Sequence, residues 1–204
     1  MSRALPPNID APRGSKAIRL FVAVDLPPDV RDALAEAVAP LREDFPKARW
    51  VPPQNWHVTL KFLGSAPPEL VDRVSAAVGS VAADAAPFEA HLRDLGAFPN
   101  ERRGRVLWAG LVDPEDRLAA LASELDHALE PEFEVDERGF TAHLTIARFD
   151  PLVPLGPMLA AIAVPDAHFV VDHLALYRSH LRRPTPFYES LGTWRLTAGP
   201  GNWP

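Results

Sequence analysis

The sequence contains no cysteine. That single absence excludes disulfides, a thiol nucleophile, zinc fingers and cysteine-held iron–sulfur clusters, and it fits a cytoplasmic setting without requiring one. Also missing is any unbroken apolar stretch long enough to span a bilayer, so no membrane association is expected. The opening segment MSRALPPNIDAPRGSK lacks the apolar run of a signal peptide, and residues 1–17 read as a flexible N-terminal arm. An excess of positive charge is lacking too. The net charge of −6 argues against a protein that coats nucleic acid by bulk electrostatics. Local basic clusters stand at Arg102, Arg103 and Arg105 and at Arg178, His180, Arg182 and Arg183; these are either solvated loop surface or part of a cleft gripping one or two phosphates. There is no Gly-rich phosphate loop, no HExxH helix and no dinucleotide fingerprint.

What is present suits a packed core: 47% of the 204 residues are hydrophobic. Ile18 to Leu26 (IRLFVAVDL) reads as a buried strand stopped by Pro27 and Pro28. Asp29 to Glu43 carries Val30, Leu34, Val38 and Leu41 at helical spacing. An extended segment, Ala48 to Val51, precedes the alternating strand Trp56 to Leu63, closed by Gly64. Pro67 to Ala83 is helical by the same criterion, Phe88 to Phe98 and Arg105 to Val112 form a hairpin, and Glu115 to Leu129 is a helix striped by Leu118, Leu121, Leu125 and Leu129. Phe140 to Phe149 is a strand, Leu155 to Ile162 a short helix, and two strands run near His168 to Arg178 and Phe187 to Leu196. Residues 197–204 read as a loose tail, leaving 18–196 as one domain. With no steady β-α-β rhythm, an α+β fold of mostly antiparallel sheets is expected.

Two of these strands contain nearly the same hexad: His57-Val58-Thr59-Leu60-Lys61-Phe62 and His143-Leu144-Thr145-Ile146-Ala147-Arg148. Residues i and i+2 of a strand share a face, so His57 and Thr59 point one way while Trp56, Val58 and Leu60 point to the core. His143 and Thr145 do the same against Leu144 and Ile146. One His-x-Thr arises easily by chance; two on matching strands imply an internal duplication. If both strands face one cleft, two imidazoles and two hydroxyls converge there.

That set suits displacement at phosphorus, which needs a base for the attacking oxygen and an acid for the leaving one. Histidine, with an unperturbed pKa of about 6.5, can do either near neutral pH. Threonine hydroxyls can donate to non-bridging phosphate oxygens, and a cation such as Lys61 or Arg148 would strengthen the field. Strict alternation puts Arg148 opposite His143, so its participation requires a bulge after Thr145. Metal sites usually recruit carboxylates, and neither hexad contains one. No metal or cofactor is expected. The rival readings are a metal-dependent hydrolase in which His57 and His143 are ligands and a non-catalytic module that recognises phosphorylated RNA ends. His91, His127, His168, His173 and His180 stand apart from the repeat and read as surface or structural, with His127 on a helix exterior.

The segments RLFVAVDLP (from Arg19), ARWVPPQNWHVTLKFLG (from Ala48), LGAFPNERRGRVLWAG (from Leu95), HLTIARF (from His143) and LYRSHL (from Leu176) resemble, in order, the two-histidine phosphoesterases, specifically the RNA 2′,3′-cyclic phosphodiesterases historically called 2′-5′ RNA ligases. The resemblance runs from Arg19 to about Leu196. It implies a bilobal, pseudo-two-fold α+β fold, with two mostly antiparallel sheets flanking a central cleft, helices outside and no metal requirement. It further implies catalytic roles for His57 and His143 and phosphate contacts for Thr59, Thr145 and Arg148. Trp56 departs from the smaller aliphatic residue usual there and is expected only to alter core packing. The expected reaction is attack of water in line with the 3′ oxygen, His143 as base and His57 as acid, with 2′-5′ ligation as the reverse. Ser179 and Tyr188 are expected in the cleft, Phe187 in the core, and Tyr177 is a further candidate for stacking on a base. The partners expected are RNA ends carrying 2′,3′-cyclic phosphate, with the protein a monomer needing no obligate protein partner.

Overall fold

The computed structural model describes residues 16–113, 115–135, 139–182 and 185–199. Most of the expected N-terminal arm, the end of the expected tail and Arg183 lie outside the described residues. No helix among the described residues is long and apolar enough to cross a membrane.

Among the described residues, nine strands form the frame: β1 (Ile18–Asp25), β2 (Arg49–Trp50), β3 (His57–Ala66), β4 (Phe88–Phe98), β5 (Gly104–Val112), β6 (His143–Val153), β7 (His168–Val171), β8 (His173–His180) and β9 (Phe187–Arg195). They pair antiparallel in the order β7-β4-β5-β6-β3-β1-β8-β9, with β2 added to β6. The sheet falls into two four-stranded halves, because β3 and β6 meet at a single register pair, Val58 opposite Leu144. That narrow seam brings the two hexads side by side.

Five α-helices among the described residues accompany the strands: α1 (Pro28–Ala37), α2 (Ala39–Asp44), α3 (Val71–Asp84), α4 (Arg117–Leu129) and α5 (Gly156–Leu159). α3 buries Val74, Ala77, Val78 and Val81, and α4 buries all four leucines of its stripe. The long helix expected from Asp29 to Glu43 is two helices. Pro40 has no N–H to give and its ring crowds the carbonyl four residues back, so the chain breaks at Val38. The strand expected from His168 to Arg178 is also two. Its first part pairs with β4 in one half and its second with β1 in the other, parting at Asp172. The tail expected to hang free from Thr197 is held at its start, where the Thr197 and Ala198 amides donate to the Ala82 and Ala85 carbonyls at the end of α3.

The two halves share one irregularity. Between β1 and β3 the register steps from Ala23 opposite Thr59 to Val22 opposite Lys61, leaving Leu60 unopposed. Between β5 and β6 it steps from Trp108 opposite Thr145 to Leu107 opposite Ala147, leaving Ile146 unopposed. Each extra residue reverses the facing of the residues after it. Lys61 and Ala147 therefore turn into the core, and Phe62 and Arg148 turn out. β3 runs on through Gly64, whose φ of +67° suits glycine best and sits at a second register shift, so the strand does not stop there as expected.

Candidate active site

Trp56, Val58 and Leu60 are buried on one face of β3, and Leu144 and Ile146 on the same face of β6. This anchoring aims His57, Thr59, His143 and Thr145 into one cleft of about 970 Å³ between the halves. Arg148 lines the same cleft because the bulge at Ile146 turned it there. Ser179 and Tyr188 line it too.

Each imidazole is held in the same way. His57 Nδ1 lies 2.8 Å from the Asn55 carbonyl, and His143 Nδ1 lies 2.7 Å from the Thr141 carbonyl, in both cases two residues back. A carbonyl can only accept, so each Nδ1 carries the proton and each Nε2 is left for chemistry. Rings set the orientation further. Phe21 stacks on His57 at 4.7 Å and Tyr188 meets it edge-on at 5.2 Å, while Phe98 meets His143 edge-on at 5.1 Å.

The electrostatics are local. Burial lowers the His57 pKa below the ordinary histidine value, and His143 across the cleft acts in the same sense, against the Asn55 carbonyl and Asp25. Burial also raises the Tyr188 pKa, so its phenol is neutral at physiological pH. Four guanidinium groups line the cleft, those of Arg19, Arg49, Arg148 and Arg182, with no carboxylate among the described lining residues. A chain of net charge −6 thus concentrates cations at this cleft, a field that favours an anion.

Several expectations need correction. Lys61 is not beside the cleft: it is only 4% exposed and faces the opposite side of β3, where its ammonium bonds Asp126 of α4 and the Glu134 carbonyl. Phe187, expected in the core, is 50% exposed, with the Arg182 guanidinium 5.4 Å from its ring centroid. His173 is structural, as expected, and belongs to a charged cluster with Asp25 and Asp172 behind His57. Tyr177 is not among the residues lining the cleft; its ring stacks on Phe21 at 5.3 Å and its hydroxyl donates to Asp25 at 2.7 Å. His127 sits exposed on α4, as expected.

Sequence reasoning overlooked Arg19, Arg49 and Phe62. For Phe62 a signal existed: it holds in the first hexad the place that Arg148 holds in the second. For the two arginines there was none, because strands far apart in sequence bring them together.

Comparison with known proteins agrees with this geometry. The model of the LigT-like phosphoesterases matches residues 24–108 and 111–188. An RNA 2′,3′-cyclic phosphodiesterase of Geobacillus stearothermophilus is 32% identical over 188 residues, which is 91% of this chain and 59% of that protein. The RNA 2′,3′-cyclic phosphodiesterase of Methanothermobacter thermautotrophicus is 32% identical over 189 residues, 88% of this chain and 99% of that one. The crystal structure of the Thermus thermophilus protein TT0787 matches with a TM-score of 0.76 at 34% identity, covering 88% of this chain and 98% of that one. With the paired imidazoles, the curled antiparallel sheet and these matches together, the chain belongs to the LigT-like, two-histidine phosphoesterases.

Proposed function

We propose that this protein hydrolyses 2′,3′-cyclic phosphate ends of RNA to 2′-phosphates, with His57 and His143 as its acid–base pair. The observation that carries the reading is the matched pair of imidazoles, each with Nδ1 committed to a carbonyl and Nε2 left for the cleft. One Nε2 accepts the proton of water as its oxygen bonds to phosphorus; the other donates a proton to the departing 3′ oxygen. Thr59, Thr145 and Arg148 hold the non-bridging oxygens, where charge is carried through the transition state. Similar relatives named RNA 2′,3′-cyclic phosphodiesterase support the substrate class. The lack of a bulk positive field suits an enzyme that meets RNA only at its end.

Incubation of a dinucleotide 2′,3′-cyclic phosphate with the protein in EDTA tests this. A 2′-phosphomonoester with a free 3′-hydroxyl is the expected product. Binding without turnover would favour a module that recognises phosphorylated ends, and activity lost in EDTA but restored by a divalent metal would favour a metal hydrolase. Ligation across a 2′-5′ bond is the same displacement with a 5′-hydroxyl in place of water, again releasing the 3′ oxygen, and should be seen only with pre-aligned ends.

Arg148 gives a second check. Arg148→Ala should lower kcat/KM by roughly 10²-fold, the range for removing one donor to a developing oxyanion, while leaving the melting temperature unchanged. Steady-state kinetics with a thermal melt separate the two.

A further inference from the structure

β1 ends on Asp25, the register partner of His57 in the β1–β3 pairing. Directly opposed residues of an antiparallel pair keep their Cβ atoms about 4.5–5.5 Å apart on one face, so a carboxylate and an imidazole stand side by side. Asp25 is braced from β8. Its Oδ2 accepts from the Tyr177 hydroxyl at 2.7 Å and lies 3.6 Å from His173 Nε2. The other nitrogen of that ring, Nδ1, lies 2.6 Å from Asp172, which also accepts from Arg195 at 3.0 Å. An imidazole with a carboxylate at both nitrogens is held as the cation. The hydrogen bond to Asp25, reinforced by Asp172 and opposed by burial, pushes the His173 pKa up to about 9. Burial pushes Asp25 up, but the hydrogen bonds from His173 and Tyr177 outweigh it and keep its carboxyl below the ordinary range.

The other half is built differently. The register partner of His143 is Gly110, which has no side chain. A Cβ there would come within 2.5 Å of Asp94 Oδ1, so a carboxylate reaches this place from β4. Asp94 is 54% exposed and lies 3.7 Å from Arg93, and solvent and the guanidinium weaken its field. Among the described residues, the other titratable or charged groups about His57 are the phenols of Tyr177 and Tyr188, both with raised pKa values and therefore neutral, the guanidinium groups of Arg19, Arg49, Arg148 and Arg182 lining the same cleft, and His143, which disfavours a proton on His57.

We propose that Asp25 is a positioning residue acting through His57: held beside it by His173 and Tyr177, it stabilises the His57 imidazolium and so supports His57 in the role of proton donor. The inference rests on the acid–base reading above. Burial lowers the His57 pKa and outweighs the Asn55 carbonyl and Asp25, and Asp25 offsets part of that loss. In the reaction the proton leaves His57 Nε2 for the 3′ oxygen, while His143 has taken one from water. The enzyme's total charge is conserved, and Asp25 is not itself protonated.

Histidine titrations by NMR on the substrate-free protein, with pH profiles of kcat, test the proposal in wild type, Asp25→Asn and His173→Gln. Asp25→Asn keeps the shape and removes the charge, so the His57 midpoint should fall by about one pH unit. His173→Gln removes the facing cation and should move the same midpoint up by less. The kcat profile of Asp25→Asn should lose activity at a lower pH on its alkaline side. Asp94→Asn should move the His143 midpoint less than Asp25→Asn moves that of His57. An unmoved His57 midpoint in both Asp25→Asn and His173→Gln would overturn the proposal, as would shifts of the same sign, which packing damage would give. The titration needs no substrate, so a failure of the cyclic-phosphate assay and a failure of this proposal are told apart.

Discussion

His57→Ala and His143→Ala should each reduce turnover of a 2′,3′-cyclic phosphate by roughly 10²–10⁴-fold, the usual contribution of a placed acid or base. The double variant should be little worse than the weaker single one, because the two groups serve one proton cycle and their losses do not add. Neither change should cost much stability. Each ring is partly exposed, its backbone hydrogen bond is part-buried at His57 and exposed at His143, and the core face of each strand is untouched. The pH dependence separates a chemical role from a binding one. Wild type should give a bell, from one histidine that must be free and one that must be charged, and each variant should lose one limb of it. Near-full activity in either variant, measured with intact melting curves, would remove the acid–base reading altogether.

Much of this site was legible because its rule is local. Alternation within each hexad decides that His57 and Thr59 share a face and that Trp56, Val58 and Leu60 do not, and the structure has them so. The repeat itself pointed to two halves, and the seam between β3 and β6 joins them. What could not be read was decided by partners distant in sequence. The bulges at Leu60 and Ile146 exist as mismatches with β1 and β5, and nothing within WHVTLKFLG or HLTIARF marks them. Their consequences are opposite for two residues: Arg148 is brought to the cleft and Lys61 is taken from it. His173 is similar, since its charge depends on Asp25 at the end of the first strand. Pro40, by contrast, could have been read as the break between α1 and α2, because its effect needs no partner.

The bulge at Leu60 leads to the largest effect expected on stability. Lys61→Met should destabilise the fold by about 3–5 kcal/mol while leaving kcat and KM nearly unchanged below the melting transition. Methionine can occupy the volume of the lysine stem, so lost packing accounts for less than about 1.5 kcal/mol of this. The larger part comes from the groups left behind. Asp126, whose side chain is 16% exposed, loses its cation, and the Glu134 carbonyl loses a donor at 2.7 Å. The partial access of Asp126 to water places the cost near the lower end of the range. At about 2–4 °C per kcal/mol for a chain of this size, the melting temperature should fall by roughly 6–12 °C. Adding Asp126→Leu should recover part of the loss, because removing both charges is cheaper than stranding one. A lysine that touched the phosphate would behave in the opposite way, with catalysis impaired and the melt unmoved, so urea unfolding and steady-state kinetics on the same preparation decide which face of β3 Lys61 serves.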